Sequence, residues 1–166
     1  VDPRPGNPIL LGGTQDNGTH KLSSAGLGAG DRVTGADGGF CAIDYNDPDT
    51  MYTTFQYQSM FRSRDGGNNF ANITNTALGQ NDVLFINPME MDPNNPLRLY
   101  MASDRLWRRN NAASGGPGGW SQATVNMGGN ITAIALSQSD PNLLYFGASG
   151  SVYRLPDAHI SNFNSQ

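Results

Sequence analysis

The sequence has little of several residue types, and each shortage excludes a class of function. Its 166 residues include one lysine, Lys21, and one glutamate, Glu90, so common surface-helix formers are nearly absent. The net charge of -4 and the lack of a Lys/Arg cluster argue against nucleic acid as a partner. No apolar run is long enough for a membrane-spanning helix, and the first residues show no signal-peptide pattern, so we expect no membrane insertion.

The residues available for metal or redox chemistry are equally few. A single cysteine, Cys41, cannot form an internal disulfide, and one cysteine with two histidines is a poor set of metal ligands. We therefore predict no metal site and no cofactor. Ca²⁺ is compatible with Asp-rich turns, but no specific motif supports it.

Glycine and aspartate are abundant, with 21 and 13 residues, and they lie between short apolar segments. The dipeptide Asp-Pro occurs four times, at spacings of 45, 45 and 48 residues, and each copy precedes a short apolar strand. The copies begin at Asp2, Asp47, Asp92 and Asp140. Another predicted strand lies before each of the last three copies, at 40–44, 84–88 and 131–136.

A repeat of about 45 residues with four short antiparallel strands is typical of a β-propeller blade. We therefore predict an all-β fold, a single partial β-propeller domain over 1–166 with four-stranded antiparallel blades. The approximate repeat units are 1–37, 38–81, 82–127 and 128–166. The alternative is a β-sandwich, which also spaces its strands regularly but has no reason to repeat Asp-Pro in phase.

The chain holds about 3.7 such units, fewer than the 4 to 8 blades that close a propeller ring. Three arrangements would resolve the shortage. The chain is part of a longer protein, strands from its two ends complete one blade, or two chains share one ring. The sequence therefore predicts self-association or continuation into further blades.

A second motif follows the third predicted strand of the second unit. Ser63, Asp65, Gly67 and Phe70 fit the Asp-box pattern S-x-D-x-G-x-x-F/W at every defined position. The aspartate can accept N–H groups of the turn, the glycine can adopt a positive φ, and the phenylalanine can anchor the next strand. We predict a structural role for this motif.

Together with the segments 12–19 and 35–40, this motif resembles the Asp-box (BNR-type) β-propellers of the sortilin-like and xyloglucanase-like group. The chain looks in particular like the repeat arrays of large secreted bacterial proteins. The resemblance implies rings of seven or eight blades and a secreted or cell-surface location. It also implies a binding face, formed by the loops that enter each first strand and the turns between second and third strands.

On that face the repeat places acidic and amide residues with few aromatics, a set that can bind sugar hydroxyls or a polar peptide. The predicted ligand-binding residues are Gln15, Asp16, Asn17, Arg32, Asp37, Tyr57, Asp104 and Arg105. The entry loops also contain Asp82, Asn126 and Asn130.

Asp16 and Asp37 admit three interpretations. Each caps its own turn, because Asp beside Asn or Gly satisfies local N–H groups. Alternatively, both contact a ligand. In the third interpretation they are paired glycosidase carboxylates, which stand about 6.5–9.5 Å apart in an inverting enzyme. They are the catalytic candidates, since no Ser/His/Asp or Cys/His arrangement is evident.

We therefore predict an extracellular binding or scaffold module for a carbohydrate or a polypeptide. The first alternative is a fragment of a xyloglucanase-like glycoside hydrolase that uses the paired aspartates, which rests on the resemblance. The second is an architectural repeat in a surface layer or filament, because open strand edges recruit further strands. The sequence does not decide whether the chain is an enzyme, and binding is the favoured hypothesis.

Overall fold

The computed structural model describes residues 1–6, 9–23, 28, 30–74 and 83–159. Within these ranges there are fourteen strands and no helix, and the strands form four antiparallel sheets. Sheet 1 contains β1 (Leu10–Thr14), β2 (Gly18–Leu22) and β3 (Asp31–Thr34). Sheet 2 contains β4 (Gly38–Ile43), β5 (Met51–Phe55), β6 (Ser59–Ser63) and β7 (Ala71–Asn72). Sheet 3 contains β8 (Met89–Met91), β9 (Leu99–Ala102), β10 (Leu106–Arg109) and β11 (Ser121–Gln122). Sheet 4 contains β12 (Ile131–Leu136), β13 (Leu144–Ala148) and β14 (Ser151–Leu155).

Sequence neighbours are also spatial neighbours in every sheet, so the strands are joined without crossovers. Tight hairpins between antiparallel strands require a left-handed backbone. The turn between β13 and β14 has two residues, Ser149 and Gly150, and their φ angles are 49° and 76°. Both angles have the sign that a type I′ hairpin turn needs.

The buried side chains lie between consecutive sheets. One cluster joins sheets 2 and 3 and includes Tyr52, Met60, Leu99 and the two tryptophans, Trp107 and Trp120. A second cluster joins sheets 3 and 4, and its buried members include Tyr100, Leu106, Leu144 and Phe146. Because strand side chains alternate between faces, each sheet contributes one face to the sheet before it and the other to the sheet after it.

The turn before the second strand of each sheet reveals the register of the repeat. The same hydrogen bond, from an N–H to the carbonyl six residues later at 3.0 Å, opens this turn at Asp44, Asp92 and Ser137. In that register Asp92-Pro93 occupies the first two positions, whereas Asp47-Pro48 occupies the fourth and fifth. The counterpart of Asp47-Pro48 in sheet 3 is Asn95-Pro96. The expectation that Asp-Pro repeats in phase is therefore wrong.

Aspartate suits the first and the fourth position of this turn, because its carboxylate can accept the N–H group two residues later. Asp44 does so at the first position, with the Asn46 N–H at 2.8 Å, and Asp140 at the fourth, with the Asn142 N–H at 3.0 Å. By this register β5, β9 and β13 are second strands. We assign β1 to the same position, because a similar hydrogen bond, from the Asp2 N–H to the Ile9 carbonyl at 2.8 Å, ends just before it. Among the described residues, sheet 1 has no counterpart of β4 and sheet 4 has no counterpart of β7.

The predicted strand over 84–88 is also wrong, because the first strand of sheet 3 is β8. The Leu84 N–H donates to Asn87 Oδ1 at 2.9 Å, and Asn87 Nδ2 donates to the Leu84 carbonyl at 2.8 Å. This side chain occupies the backbone groups that a sheet ladder would require. The other two predicted strands, 40–44 and 131–136, correspond to β4 and β12.

A cation in the third strand of sheets 1, 2 and 3 bonds to the following sheet, and we call this the intersheet cation contact. The hydrogen bonds are Lys21 Nζ to Gly66 O (2.9 Å), Arg62 Nη1 to Ala112 O (2.7 Å) and Arg108 Nη1 to Ala158 O (2.8 Å). The cations share one register, since each lies opposite the second residue of the second strand, which is Leu11, Tyr52 or Tyr100. Consecutive sheets are thus joined by a repeated polar contact as well as by apolar packing.

Candidate functional site

Turns between second and third strands meet the loops that enter first strands at one end of the sheets, which we call the loop face. The Asp16 N–H donates to Asp37 Oδ1 at 2.7 Å, and the Asp37 N–H donates to Gln56 Oε1 at 3.0 Å. The Tyr57 N–H then donates to the Phe85 carbonyl at 3.0 Å. These bonds link sheets 1, 2 and 3 across the loop face.

Similar bonds continue the loop face from sheet 3 to sheet 4. The Met127 N–H donates to the Asp104 carbonyl at 2.8 Å, and the Ile131 N–H donates to the Ser103 carbonyl at 2.7 Å. Ser149 Oγ, in the last hairpin turn, donates to the Met127 carbonyl at 3.3 Å. Each entry loop is therefore held by the turns of neighbouring hairpins.

The turn between β1 and β2 is an exposed part of the loop face. Gln15, Asp16 and Asn17 are all exposed, and Asp16 has a φ of 66°. Arg32 is exposed beside this turn, and its guanidinium lies so close over Gly35 that a side chain there would contact Nη2 at 3.0 Å. These four predicted residues present donors and acceptors to solvent.

Asp37 is half-buried, and its contacts differ from the interpretation in which it caps its own turn. Its carboxylate accepts the N–H group of Asp16, in the neighbouring hairpin turn, rather than an N–H group of its own turn. Its own N–H group bonds to the Gln56 side chain. Asp37 therefore joins sheets 1 and 2, and the Asp16 carboxylate lies on the exposed side of this junction.

Asp104 is buried, and its carboxylate accepts four hydrogen bonds. Arg105 donates from Nε at 3.0 Å and from Nη2 at 2.7 Å, Ser103 Oγ donates at 3.0 Å and Asn126 Nδ2 donates at 2.6 Å. The Arg105 hydrogen bonds are the main cause that lowers the pKa of Asp104, against an opposing effect of burial. Arg105 also lies over the Trp107 ring, 6.0 Å from its centroid. Asp104 thus positions Arg105 and Asn126.

A cavity of about 340 Å³ opens on the loop face between sheets 3 and 4. Its lining is polar and consists of Asp104, Asn126, Gly128, Gly129 and Asn130. The volume is within the range of small-ligand sites, although such sites are usually more apolar. Asp82, which was expected in the preceding entry loop, lies outside the described residues.

Two exposed aromatic rings, Tyr57 and Phe85, pair on the loop face. Tyr57 and Phe85 are 57% and 48% exposed, and their rings meet edge to face with centroids 5.7 Å apart. Tyr57 was predicted as a site residue, but Phe85 was not, because it lies in the segment predicted as a strand. The hairpin turn, where Tyr57 has a φ of 58°, directs its ring away from the core.

The Ser63–Phe70 segment forms a turn at the opposite end of sheet 2, where β6 ends. Ser63 Oγ donates to Asp65 Oδ1 at 2.7 Å and accepts the Gly67 N–H at 2.9 Å. Asp65 also accepts the Asn69 side-chain amide at 2.7 Å and the Asn69 N–H at 2.9 Å. Gly67 has a φ of 85°, and Phe70 is half-buried.

These hydrogen bonds predict an acid-sensitive contribution of Asp65 to stability. They lower the pKa of Asp65, the largest effect being that of the Asn69 side chain. A lowered folded-state pKa stabilises the fold above the unfolded-state pKa of about 3.9 and loses that effect as the pH falls further. We expect Asp65→Ala to lower the Tm at pH 7 and to differ less from the wild type at pH 2. Calorimetry at both pH values checks this, and an equal deficit at both would show that the charge is not the cause.

The described part of the chain contains neither a cluster of metal ligands nor a membrane-spanning helix. No group of three or more His, Cys, Asp or Glu side chains in it could hold a metal ion. In the same ranges, no helix is long and apolar enough to cross a membrane.

No protein-family model matches the chain, and no curated protein does. Similar solved structures include the GH74 xyloglucanase from Xanthomonas campestris (TM-score 0.68, 18% identity) and an ancestral GH74 enzyme (0.66, 14%). The GH74 enzyme of Niastella koreensis is also similar (0.60, 17%). These matches cover 95% of this chain but only 28%, 22% and 28% of the respective structures.

At these identities the similarity establishes the fold alone. The chain has an all-β, β-propeller fold, and its four sheets are propeller blades. The propeller prediction is confirmed over the sandwich. The chain spans about a quarter of the length of the solved structures that it matches.

Proposed function

We propose that the chain is an extracellular carbohydrate-binding module and that its ligand lies on the loop face. The exposed Tyr57–Phe85 pair is the observation that supports this proposal most directly. An aromatic ring offers a flat apolar surface at a low cost in conformational entropy. Such a surface suits the C–H face of a sugar ring, and polar groups around it suit the hydroxyls.

The polar groups near this pair can both donate and accept hydrogen bonds. Gln56, next to Tyr57, joins the aromatic pair to Asp37 and hence to the exposed turn at Asp16. Carboxylates accept from hydroxyl groups, amides do both, and the Arg32 guanidinium donates. The mixture favours a neutral, hydroxyl-rich ligand, so we prefer carbohydrate to the polypeptide that was the other predicted class.

We infer that the Ser63–Phe70 turn is an Asp box and that the chain is of the Asp-box, sortilin-like and xyloglucanase-like group. The hydrogen bonds of Ser63 and Asp65 support this inference, since they satisfy the turn as the motif requires. A secreted or cell-surface location follows from the assignment.

Affinity electrophoresis in gels containing xyloglucan or mixed-linkage β-glucan tests the binding proposal. We expect Tyr57→Ala to weaken retardation about tenfold or more, because it removes the stacking surface, and Phe85→Ala to act in the same direction. Tyr57→Phe keeps the ring and should bind like the wild type. Leu97→Ala is the matched control, since Leu97 is exposed to 41% but lies away from the loop face. Equal retardation of Tyr57→Ala and the wild type would contradict this site.

A second candidate function is that of a fragment of a GH74-like glycoside hydrolase. The solved structures named above favour it, and Asp16 and Asp37 would supply the carboxylates. Release of reducing ends from xyloglucan, abolished by Asp37→Asn, would support this function over binding alone. An array in a surface layer or filament is the third predicted class, and electron microscopy of concentrated protein would reveal its polymers.

A further inference from the structure

One face of sheet 4 points away from sheet 3, and we call it the sheet-4 outer face. Its residues share one side of the sheet, because Ala135, Tyr145 and Arg154 lie opposite one another across three strands and Val152 is two residues from Arg154. Val152 is 79% exposed and Tyr145 is 40% exposed, and Ala135 and Arg154 are also exposed. The residues around the Arg154 guanidinium on the sheet-4 outer face are therefore apolar.

The same positions are buried in the two preceding sheets. Tyr145 is the counterpart of Tyr52 and Tyr100, and all three are the second residues of their strands. Val152 is the counterpart of Met60 and Leu106, both 0% exposed. In sheets 2 and 3 the next sheet covers these side chains. The sheet-4 outer face therefore has the composition of a covered face.

Arg154 has the position of a cation that bonds to a following sheet. It has the register of Lys21, Arg62 and Arg108, each of which donates to a carbonyl of the following sheet. Among the residues that the structure describes, Arg154 has no hydrogen-bond or ion-pair partner. It therefore has the register of the donor in an intersheet cation contact, and no acceptor for it lies among the described residues.

Sheet 1 exposes the side that, in sheets 2, 3 and 4, faces the preceding sheet. Leu10 begins β1 as Met51, Leu99 and Leu144 begin the other second strands. These three are 0% exposed against the preceding sheet, whereas Leu10 is 40% exposed. A side chain added at Gly12, on the same side, would meet nothing within 4 Å. Sheet 1 thus offers the side that covers an outer face elsewhere in the molecule.

We propose that the sheet-4 outer face docks onto the Leu10 side of sheet 1 in a second copy of this chain. The contact would repeat the packing already present between sheets 2 and 3 and between sheets 3 and 4. It is heterologous, because the two copies use different surfaces. Val152 and Tyr145 would become buried, and Arg154 would donate to a main-chain carbonyl of the partner. This inference does not depend on the proposed carbohydrate site.

Light scattering behind a sizing column, at a series of concentrations, provides the first test. The wild type should show a mass above 17.7 kDa that rises with concentration to a plateau or continues into longer assemblies. Val152→Asp should raise the dissociation constant about 30-fold or more, because it replaces an apolar side chain that the contact would bury with a carboxylate that loses its hydration. A wild type that stays monomeric at every concentration would overturn the proposal.

Leu97→Asp is the matched control for Val152→Asp. It also adds a carboxylate at an exposed apolar residue, and the equivalent position of sheet 2 is occupied by Asp49. This variant should associate like the wild type. Circular dichroism should show that all variants are folded, since the substituted side chains are exposed. If Val152→Asp associates as strongly as Leu97→Asp, the sheet-4 outer face is not the interface.

Mixing two variants tests the pairing of the two faces. Val152→Asp and Leu10→Asp should each be monomeric alone, because every contact of either variant contains the altered face. An equimolar mixture should form a 1:1 complex, in which the intact sheet-4 outer face of Leu10→Asp docks onto the intact sheet 1 of Val152→Asp. Native mass spectrometry distinguishes this complex by its mass. A mixture that stays monomeric would exclude a heterologous contact between these faces.

Discussion

Replacing Arg62 by alanine is expected to destabilise the fold by about 3–5 kcal/mol. The side chain is buried, and its guanidinium donates to the carbonyls of Ala112, Ser114 and Gly115 at 2.7, 2.9 and 2.8 Å. Alanine would leave a cavity between sheets 2 and 3 and remove the donor from three carbonyls, of which that of Ala112 belongs to a buried residue. Urea unfolding monitored by tryptophan fluorescence reports the loss, because Trp107 and Trp120 lie in this interface.

Two further variants test whether the loss of stability comes from the guanidinium hydrogen bonds or from removing any arginine in this region. Arg62→Lys should be intermediate, since an ammonium group can still bond to the Ala112 carbonyl, as Lys21 bonds to Gly66, but not to the whole loop. Arg64→Ala is the control, because Arg64 is exposed two residues away, and it should change stability by no more than about 0.5 kcal/mol. If Arg62→Ala is as stable as Arg64→Ala, the carbonyls do not depend on the guanidinium.

The Gly-rich segment 112–118 has no strand, and arginine side chains bind its carbonyl groups instead. Arg109 binds the same segment, donating to the carbonyls of Gly118 at 2.6 Å and Ser114 at 2.7 Å. Burial is the main cause that lowers the pKa of both arginines, and each faces carbonyl groups rather than a carboxylate. The two guanidinium groups therefore replace the strand ladder that this segment lacks.

The propeller fold was predictable from the sequence because each blade is a local structure. Hairpin turns favour glycine, asparagine or aspartate, and strands favour alternating apolar residues, so a repeat of these signals indicates a repeat of blades. The exact register of the repeat could not be predicted from the Asp-Pro dipeptides. Asp92-Pro93 and Asp47-Pro48 occupy different positions of one turn type, and the dipeptide alone does not distinguish them.

The contacts between blades were not predictable in the same way. Tyr57 and Phe85 are 28 residues apart, and their rings meet where the Tyr57 N–H donates to the Phe85 carbonyl, in a loop that the Asn87 side chain closes. The Arg62–Ala112 bond joins residues 50 positions apart. The sequence places an arginine at the end of a strand, but which carbonyl accepts its hydrogen bond depends on how consecutive sheets stack.

Gly13→Ala is expected to have the second large effect, a loss of about 3 kcal/mol or more. Sheet 1 has no described first strand, so the backbone of β1 lies directly against β4. A Cβ atom at Gly13 would lie 2.6 Å from the carbonyl carbon of Gly38 and 2.7 Å from the Gly39 nitrogen. These are main-chain atoms of a paired strand, and they cannot rotate aside as a side chain would.

Gly12→Ala is the matched control for this substitution. Gly12 lies in the same strand, and a Cβ atom there would meet nothing within 4 Å. Alanine should therefore be neutral, or stabilising by up to about 1 kcal/mol through the unfolded state. Urea unfolding gives the free-energy difference, and hydrogen exchange of the β1 and β4 amides shows whether the loss lies where these strands meet. Equal stability of the two variants would show that β1 and β4 do not approach so closely.

The same pair of variants connects this packing to the loop face. Forcing β1 away from β4 would separate the Asp16 N–H from the Asp37 carboxylate, which now meet at 2.7 Å just beyond the contact of Gly13 with Gly38. Gly13→Ala should then weaken retention on xyloglucan gels under conditions where the protein is still folded, and Gly12→Ala should not. Because neither glycine can contact a ligand through a side chain, a selective loss in Gly13→Ala would mean that the junction of sheets 1 and 2 positions the binding residues. Unchanged retention in a folded but destabilised Gly13→Ala would instead confine ligand binding to Tyr57, Phe85 and the loop face of sheet 3.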